Sequence, residues 1–179
     1  HPAGLGSGVS RPAPERTTIL RMIDFDLTEE HRLLEQTVRE WAAREVAPRI
    51  HDLDREHRFD RGLLPKMAEL GLLGASVPVE YGGAGMDYIS LGLVCEELEY
   101  VDTSLRVIMS VHAALNSLTL LAWGTEDQKQ RYLVPQAQGR RIATYGLTEP
   151  AAGSDVRGIQ SVAVRRGDRY VLTGEKMWI

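Results

Sequence analysis

The 179-residue chain has one cysteine, and a lone Cys95 among apolar neighbours excludes an internal disulfide and with it a disulfide-stapled miniprotein. The composition fits a reducing compartment, and the thiol reads as buried and inert. Positive charge is not in excess either: 21 Lys and Arg stand against 25 Asp and Glu, a net charge of −4. No overall field is available to hold a phosphate backbone, so nucleic-acid binding is not expected. Long apolar runs are missing. The longest candidate, residues 105–123, is interrupted by Arg106, His112 and Asn116, short of the ~20 apolar residues of a membrane helix, so a soluble chain without membrane insertion is expected. The five histidines, His1, His31, His51, His57 and His112, show no ligand spacing, so no metal site is expected. What is present is 43% apolar residues, enough for a packed core.

Residues 1–21 are rich in Gly, Pro and Ser and carry Arg11, Arg16 and Arg21 against Glu15 alone, which reads as a disordered extension. Prolines at 2, 12 and 14 spoil the amphipathic helix of a transit peptide, and Met22 offers a natural start. From Leu27 the apolar period turns helical. Thr28 is placed to cap a first helix with Glu29 and Glu30 in its first turn, running to about Pro48. A second helix spans 61–70 and stops at Gly71, and the glycine-rich stretch 72–85 predicts a loop. A third helix covers 87–101, with Glu96, Glu97 and Glu99 mostly outward. A fourth runs from Asp102 or Thr103 to Trp123 and is apolar on nearly all sides, as an interior helix would be. Trp41 and Trp123 read as core anchors. Thr125 and Gln128 form a capping box for a fifth helix, which ends before Gly139 and must kink at Pro135.

After Gly139 the period changes. Residues 142–147 read as a strand, 148–158 as a Gly/Ser/Pro-rich loop, and 161–164 with 170–172 as a hairpin turning at Gly167-Asp168. Helices segregated from antiparallel strands make the chain α+β. No internal repeat is visible. The loop Thr148–Asp155 lacks the lysine of a P-loop and the spacing of a dinucleotide fold. Its hydroxyls, Thr148 and Ser154, and the backbone N–H groups near Gly153 could serve a polar heteroatom or a diphosphate.

Gly146-Leu147-Thr148-Glu149-Pro150-Ala151-Ala152-Gly153-Ser154-Asp155, followed by Gly158, resembles the flavin-loop signature of the acyl-CoA dehydrogenase family. Pro78–Gly85, Gly124–Leu133 and Gly174–Ile179 resemble the same family in the same order. The resemblance implies an N-terminal all-α domain over 22–139, the first strands of an antiparallel β-barrel-like middle domain over 140–179, and a C-terminal four-helix domain absent from this chain. It implies FAD, with Tyr145, Leu147 and Thr148 lining the isoalloxazine, Gly153 and Ser154 approaching the diphosphate, Ser154 also reaching the CoA part of the substrate, and Trp178 and Ile179 covering the ring. An indole there would shield the ring from water.

The implied reaction is α,β-dehydrogenation of an acyl-CoA thioester, with electrons passed to electron-transferring flavoprotein and a homotetramer as the assembly. The catalytic base of the family falls beyond Ile179, so no catalytic residue is assigned here, and Glu96, Glu97, Glu99 and Glu149 are not promoted to that role. Val101–Val111 resembles the corresponding stretch of glutaryl-CoA dehydrogenases, where Arg106 would pair with a distal substrate carboxylate. A structural ion pair with a nearby glutamate is the other reading, because a guanidinium on an apolar helix needs an anion. A straight short-chain acyl-CoA is the default substrate and a glutaryl-type one the alternative. A flavin oxidase of the same architecture and a non-catalytic helical interaction module are further alternatives. The cytoplasm is the expected location, with the mitochondrial matrix as the alternative.

Overall fold

The computed structural model describes residues 26–179, so the expected extension over 1–21 and the start at Met22 lie outside the described residues. Thr28 caps α1 (Glu29–Glu45) as its position predicts: its hydroxyl accepts from His31 N–H, and the His31 ring accepts in return from Thr28 N–H. Pro48 has no N–H and its ring would clash with the carbonyl four residues back. The chain therefore breaks at Val46 and restarts as α2 (Ala47–Arg55), with Pro48 tolerated in the first turn. The single helix expected to reach Pro48 is thus two. α3 (Leu63–Glu69) presents buried Leu63 and Met67, and the tight turns Leu72–Gly74 and Val79–Tyr81 carry the loop expected there.

Asp87 caps α4 (Tyr88–Val101) by accepting from Ser90 N–H at 2.8 Å, and Asp102 caps α5 (Thr103–Trp123) through Ser104 N–H. Val38, Trp41 and Ala42 of α1, Met67, Leu72 and Leu73, Val94 and Leu98 of α4, and Leu105, Met109 and Ala113 of α5 form the main core. Each such large side chain contributes roughly 1.5–3 kcal/mol by leaving water. Arg39 spans α1 and α4, its Nη2 and Nε donating to the two oxygens of Glu97 at 2.7 and 2.9 Å. Glu97 is therefore buried rather than outward, because the α1–α4 seam brings a guanidinium onto it, whereas Glu96 and Glu99 face solvent.

α5 departs from expectation. Its packed stripe is one face only, and Val107, Leu115 and Trp123 are exposed, Trp123 at 86%, so Trp123 anchors no core within this chain while Trp41 does. By length and composition α5 is also apolar enough to cross a membrane, with a mean hydropathy of 1.4 that Arg106, His112 and Asn116 do not pull down as expected. In this fold Leu105, Met109 and Ala113 close the core, Arg106 pairs with Glu99, and His112 is hydrogen-bonded on both sides. Over Met109–Ser117 the helix widens to i→i+5 π-type bonding.

α6 (residues 126–137) begins with the Thr125–Gln128 capping box. It also takes π-type turns, over Lys129–Leu133, directly ahead of Pro135. A wider turn relieves the proline's missing donor, so the predicted kink appears as a local widening. Gly139 closes α6 at φ +69, where a Cβ would overlap that of Ala68. The chain ends in β1 (Val162–Arg166) and β2 (Arg169–Thr173), antiparallel, with Val164 opposite Val171 and Gly167 at φ +64 in the turn. Both faces of this hairpin are exposed. The strand expected over 142–147 does not form: the segment is extended but has no ladder partner.

Candidate functional site

Four backbone groups of residues 142–148 find partners outside a ladder, three of them side chains. Ala143 N–H donates to His112 Nδ1 at 3.0 Å, and Asn116 Nδ2 donates to the Thr144 carbonyl at 3.2 Å. Lys176 Nζ donates to the Leu147 carbonyl at 3.0 Å, and Met177 N–H to the Thr148 carbonyl at 2.9 Å. Segment 142–148 is held by α5 on one side and by residues 176–177 on the other.

Glu149 is the clasp. It accepts from Lys176 Nζ at 2.8 Å, from Gln160 N–H at 2.6 Å and from Ser161 N–H at 3.1 Å. The Lys176 hydrogen bond, then those from Ser161 and Gln160, hold its carboxyl down to about 2 against the opposing effect of burial. One carboxylate thus closes the 149–161 loop, which holds the reciprocal Glu149–Ala152 backbone pair, and fixes Lys176 beside it.

This clasp brings together residues far apart in sequence. Tyr145 is 46% exposed, Ile179 reaches the Gly146 backbone, and Trp178 stands 88% exposed at φ +59, a costly conformation for a bulky residue. The Thr148 hydroxyl has no hydrogen-bond partner among the described residues. Tyr145 also lines a cavity of about 310 Å³ with Leu115, Asn116 and Thr119 of α5 and Tyr132 and Gln136 of α6. At the loop tip Gly153 faces open space, where a Cβ would meet nothing within 4 Å, and Ser154 is exposed with its hydroxyl unpartnered among the described residues.

An exposed Tyr145 and an unpartnered Thr148 hydroxyl, followed by a loop with an open glycine and an exposed serine, leave apolar surface and hydrogen-bonding groups free for a ligand. Residues 176–179 thus run beside the edge of Gly146, Leu147 and Thr148, and Gly153 and Ser154 lie on the loop that follows. Arg106 is not brought to this edge: no hydrogen bond or ion pair among the described residues joins it to 145–154. Its Nε instead meets Glu99 at 2.5 Å, and that pairing holds the Glu99 carboxyl below its ordinary range.

Two groups of anchoring residues are paired by the fold in ways the sequence reading did not foresee. Glu149 and Lys176 are 27 residues apart, so no local pattern pairs them, and His112 and Asn116 carry no motif for gripping a distant backbone. Cys95 is half-buried, and burial raises its thiol, in keeping with an inert role. Among the described residues no cluster of His, Cys, Asp and Glu could hold a metal ion.

A model of the acyl-CoA dehydrogenase N-terminal domain matches residues 28–140. The short-chain specific acyl-CoA dehydrogenase of Clostridium acetobutylicum is 45% identical over 157 residues, 88% of this chain and 41% of that protein. The solved structure of butyryl-CoA dehydrogenase from Megasphaera elsdenii superposes with a TM-score of 0.82 at 32% identity, over 86% of this chain and 41% of that one. A glutaryl-CoA dehydrogenase from Mycobacterium smegmatis in complex with FADH2 superposes with a TM-score of 0.81 at 34% identity, over 85% of this chain and 39% of that one. The chain spans about two fifths of the length of these relatives.

Proposed function

The chain belongs to the acyl-CoA dehydrogenase family, and from that premise we propose that it supplies the helical region (22–139) and the flavin-facing edge (140–179) of an FAD-dependent enzyme that converts an acyl-CoA thioester to its 2-enoyl-CoA. The observation that supports this reading is the Glu149–Lys176 clasp, which holds residues 176–177 beside Leu147 and Thr148. Bound FAD would supply the acceptor for the substrate's β-hydride. Tyr145 and Leu147 would lie along the ring, the free Thr148 hydroxyl would hydrogen-bond its polar edge, and Trp178 with Ile179 would exclude water from one face. Gly153 and Ser154 would meet the diphosphate, Ser154 also reaching the CoA moiety. Electron-transferring flavoprotein is the proposed acceptor, a homotetramer the proposed assembly, and the cytoplasm the proposed location, with the mitochondrial matrix as the alternative.

Proton abstraction needs a carboxylate of near-neutral affinity aimed at the substrate's α-carbon. Glu149 is held down to about 2 and saturated with donors, Glu97 is locked to Arg39, and Glu99 is paired with Arg106. None of these three is such a group, and the family resemblance carries the proposal that the base lies beyond Ile179. Titration with FAD tests the reading: quenching of flavin fluorescence and a resolved visible flavin spectrum are expected, both weakened in Thr148→Val and Trp178→Ala. A colourless protein that leaves FAD fluorescence unchanged would overturn it.

A straight short-chain acyl-CoA is the proposed substrate, since Arg106 makes the structural ion pair with Glu99; a glutaryl-type substrate is the second reading, on one observation. Arg106 engages Glu99 through Nε only, so its two terminal nitrogens have no hydrogen-bond partner among the described residues and are open to a carboxylate fork. Assayed across acyl-CoA thioesters, Arg106→Ala should lose activity on glutaryl-CoA and keep it on butyryl-CoA. An unchanged ratio between the two removes this reading.

A further inference from the structure

His112 is fully buried at the widened turn of α5, where it meets two other elements. Its Nε2 lies 3.1 Å from the Gln136 carbonyl of α6, and its Nδ1 lies 3.0 Å from Ala143 N–H. A carbonyl can only accept and an amide N–H can only donate, so the ring is the neutral tautomer with its proton on Nε2, and both nitrogens are committed. The turn around it is built to match. Ser117 Oγ donates its one proton to the His112 carbonyl at 2.9 Å, five residues back, with Gln136 Oε1 3.3 Å from the same oxygen. Asn116 then takes the neighbouring Thr144 carbonyl. Two successive backbone groups, an N–H and a C=O, are thus gripped by α5 immediately before Tyr145. A flexible apolar residue could hold neither distance, because it is the rigid imidazole that fixes the gap between the Gln136 carbonyl and the Ala143 amide.

We propose that His112 is the positioning residue that seats the Tyr145–Thr148 edge on α5 and α6, an inference whose consequence for flavin rests on the function proposed above. It touches neither cofactor nor substrate and acts through the backbone of residues 143–148. The test uses amide hydrogen exchange and FAD titration on the whole chain. In His112→Leu the Ala143 amide is expected to exchange about tenfold faster, the effect of one lost hydrogen bond, and FAD affinity to fall by about the same factor with an altered visible flavin spectrum. His112→Asn, whose Oδ1 can accept from Ala143 N–H, should recover most of both. Met109→Ala empties the same helix's core face without touching residue 143, and it should lower Tm while leaving Ala143 protection and the flavin spectrum near wild type.

Unchanged Ala143 exchange in His112→Leu overturns the proposal. So does a Met109→Ala variant that matches His112→Leu in both readouts at equal loss of Tm, since His112 would then be core packing only. Wild-type protein that takes up no FAD would count against the proposed function, whereas the exchange arm would still decide the role of His112.

Discussion

Replacing Lys176 by methionine keeps the length and apolar stem of the side chain and removes its charge, so it cuts the clasp with little change in volume. Two hydrogen bonds vanish, those to Glu149 Oε1 and to the Leu147 carbonyl. The bond to Leu147 is charge-assisted, worth about 1.5–3 kcal/mol in general. Lys176 is 30% exposed, which places it at the lower end. At about 1.4 kcal/mol per factor of ten, residues 176–177 should leave the Leu147–Glu149 edge roughly tenfold more often, and the Met177 amide, whose acceptor is the Thr148 carbonyl, should exchange about tenfold faster.

Glu149 gives a second, independent reading of the same variant. In the wild type its carboxyl is lowered from 4.5 to about 2, with Lys176 the largest cause, so its contribution to stability is complete above pH 4.5 and is lost as pH falls towards 2. Without Lys176 the Gln160 and Ser161 amides still lower it while burial raises it, so its titration should move up towards 4.5, and the acid-side loss of stability between 4.5 and 2 should shrink. Site-resolved NMR titration of the Glu149 carboxyl together with exchange at Met177 measures both. A variant in which Glu149 still titrates near 2 and Met177 stays protected would refute the clasp as the element that docks residues 176–177.

Three further outcomes are expected. Gly139→Ala forces a Cβ into a left-handed residue and onto Ala68, which should cost about 2 kcal/mol or more and lower Tm by at least about 4 °C in a calorimetric scan. Met109→Ala, at a fully buried site, should cost about 2–5 kcal/mol in urea unfolding, while Trp123→Ala, 86% exposed, should stay within about 0.5 kcal/mol. A large loss on truncating Trp123 would restore it as a core anchor. Burial pushes the His112 imidazole below 6.5, with the Gln136 carbonyl opposing, so its contribution is whole above pH 6.5 and declines as pH falls below that value. Comparing wild type with His112→Asn between neutral and mildly acidic pH should isolate that slope.

Local signals in the sequence proved sound where a single residue does a short-range job. Thr28, Asp87, Asp102 and Thr125 cap the helices they precede, Gly139 ends α6, and Gly167 turns the hairpin. The same logic anticipated stress at Pro135, though not the form of its relief. Expectations failed where burial depends on distant partners. Glu97 is buried because Arg39 arrives from α1, Trp123 is exposed because no described element covers it, and residues 142–147 form no strand, α5 side chains taking the Ala143 N–H and the Thr144 carbonyl where a ladder was expected.

By itself, then, the sequence determined the order of helices followed by a hairpin, most of the caps and turns that bound them, and the family signature over 146–158, all of which are written in residues a few positions apart. Only the tertiary structure decided which groups meet: Glu149 with Lys176, His112 with Ala143 and Gln136, Arg106 with Glu99. The physical reason is range. Caps and turns are satisfied within one turn of the chain, whereas a buried carboxylate or imidazole must find its partner through packing, and composition carries no record of which distant backbone the packing will deliver.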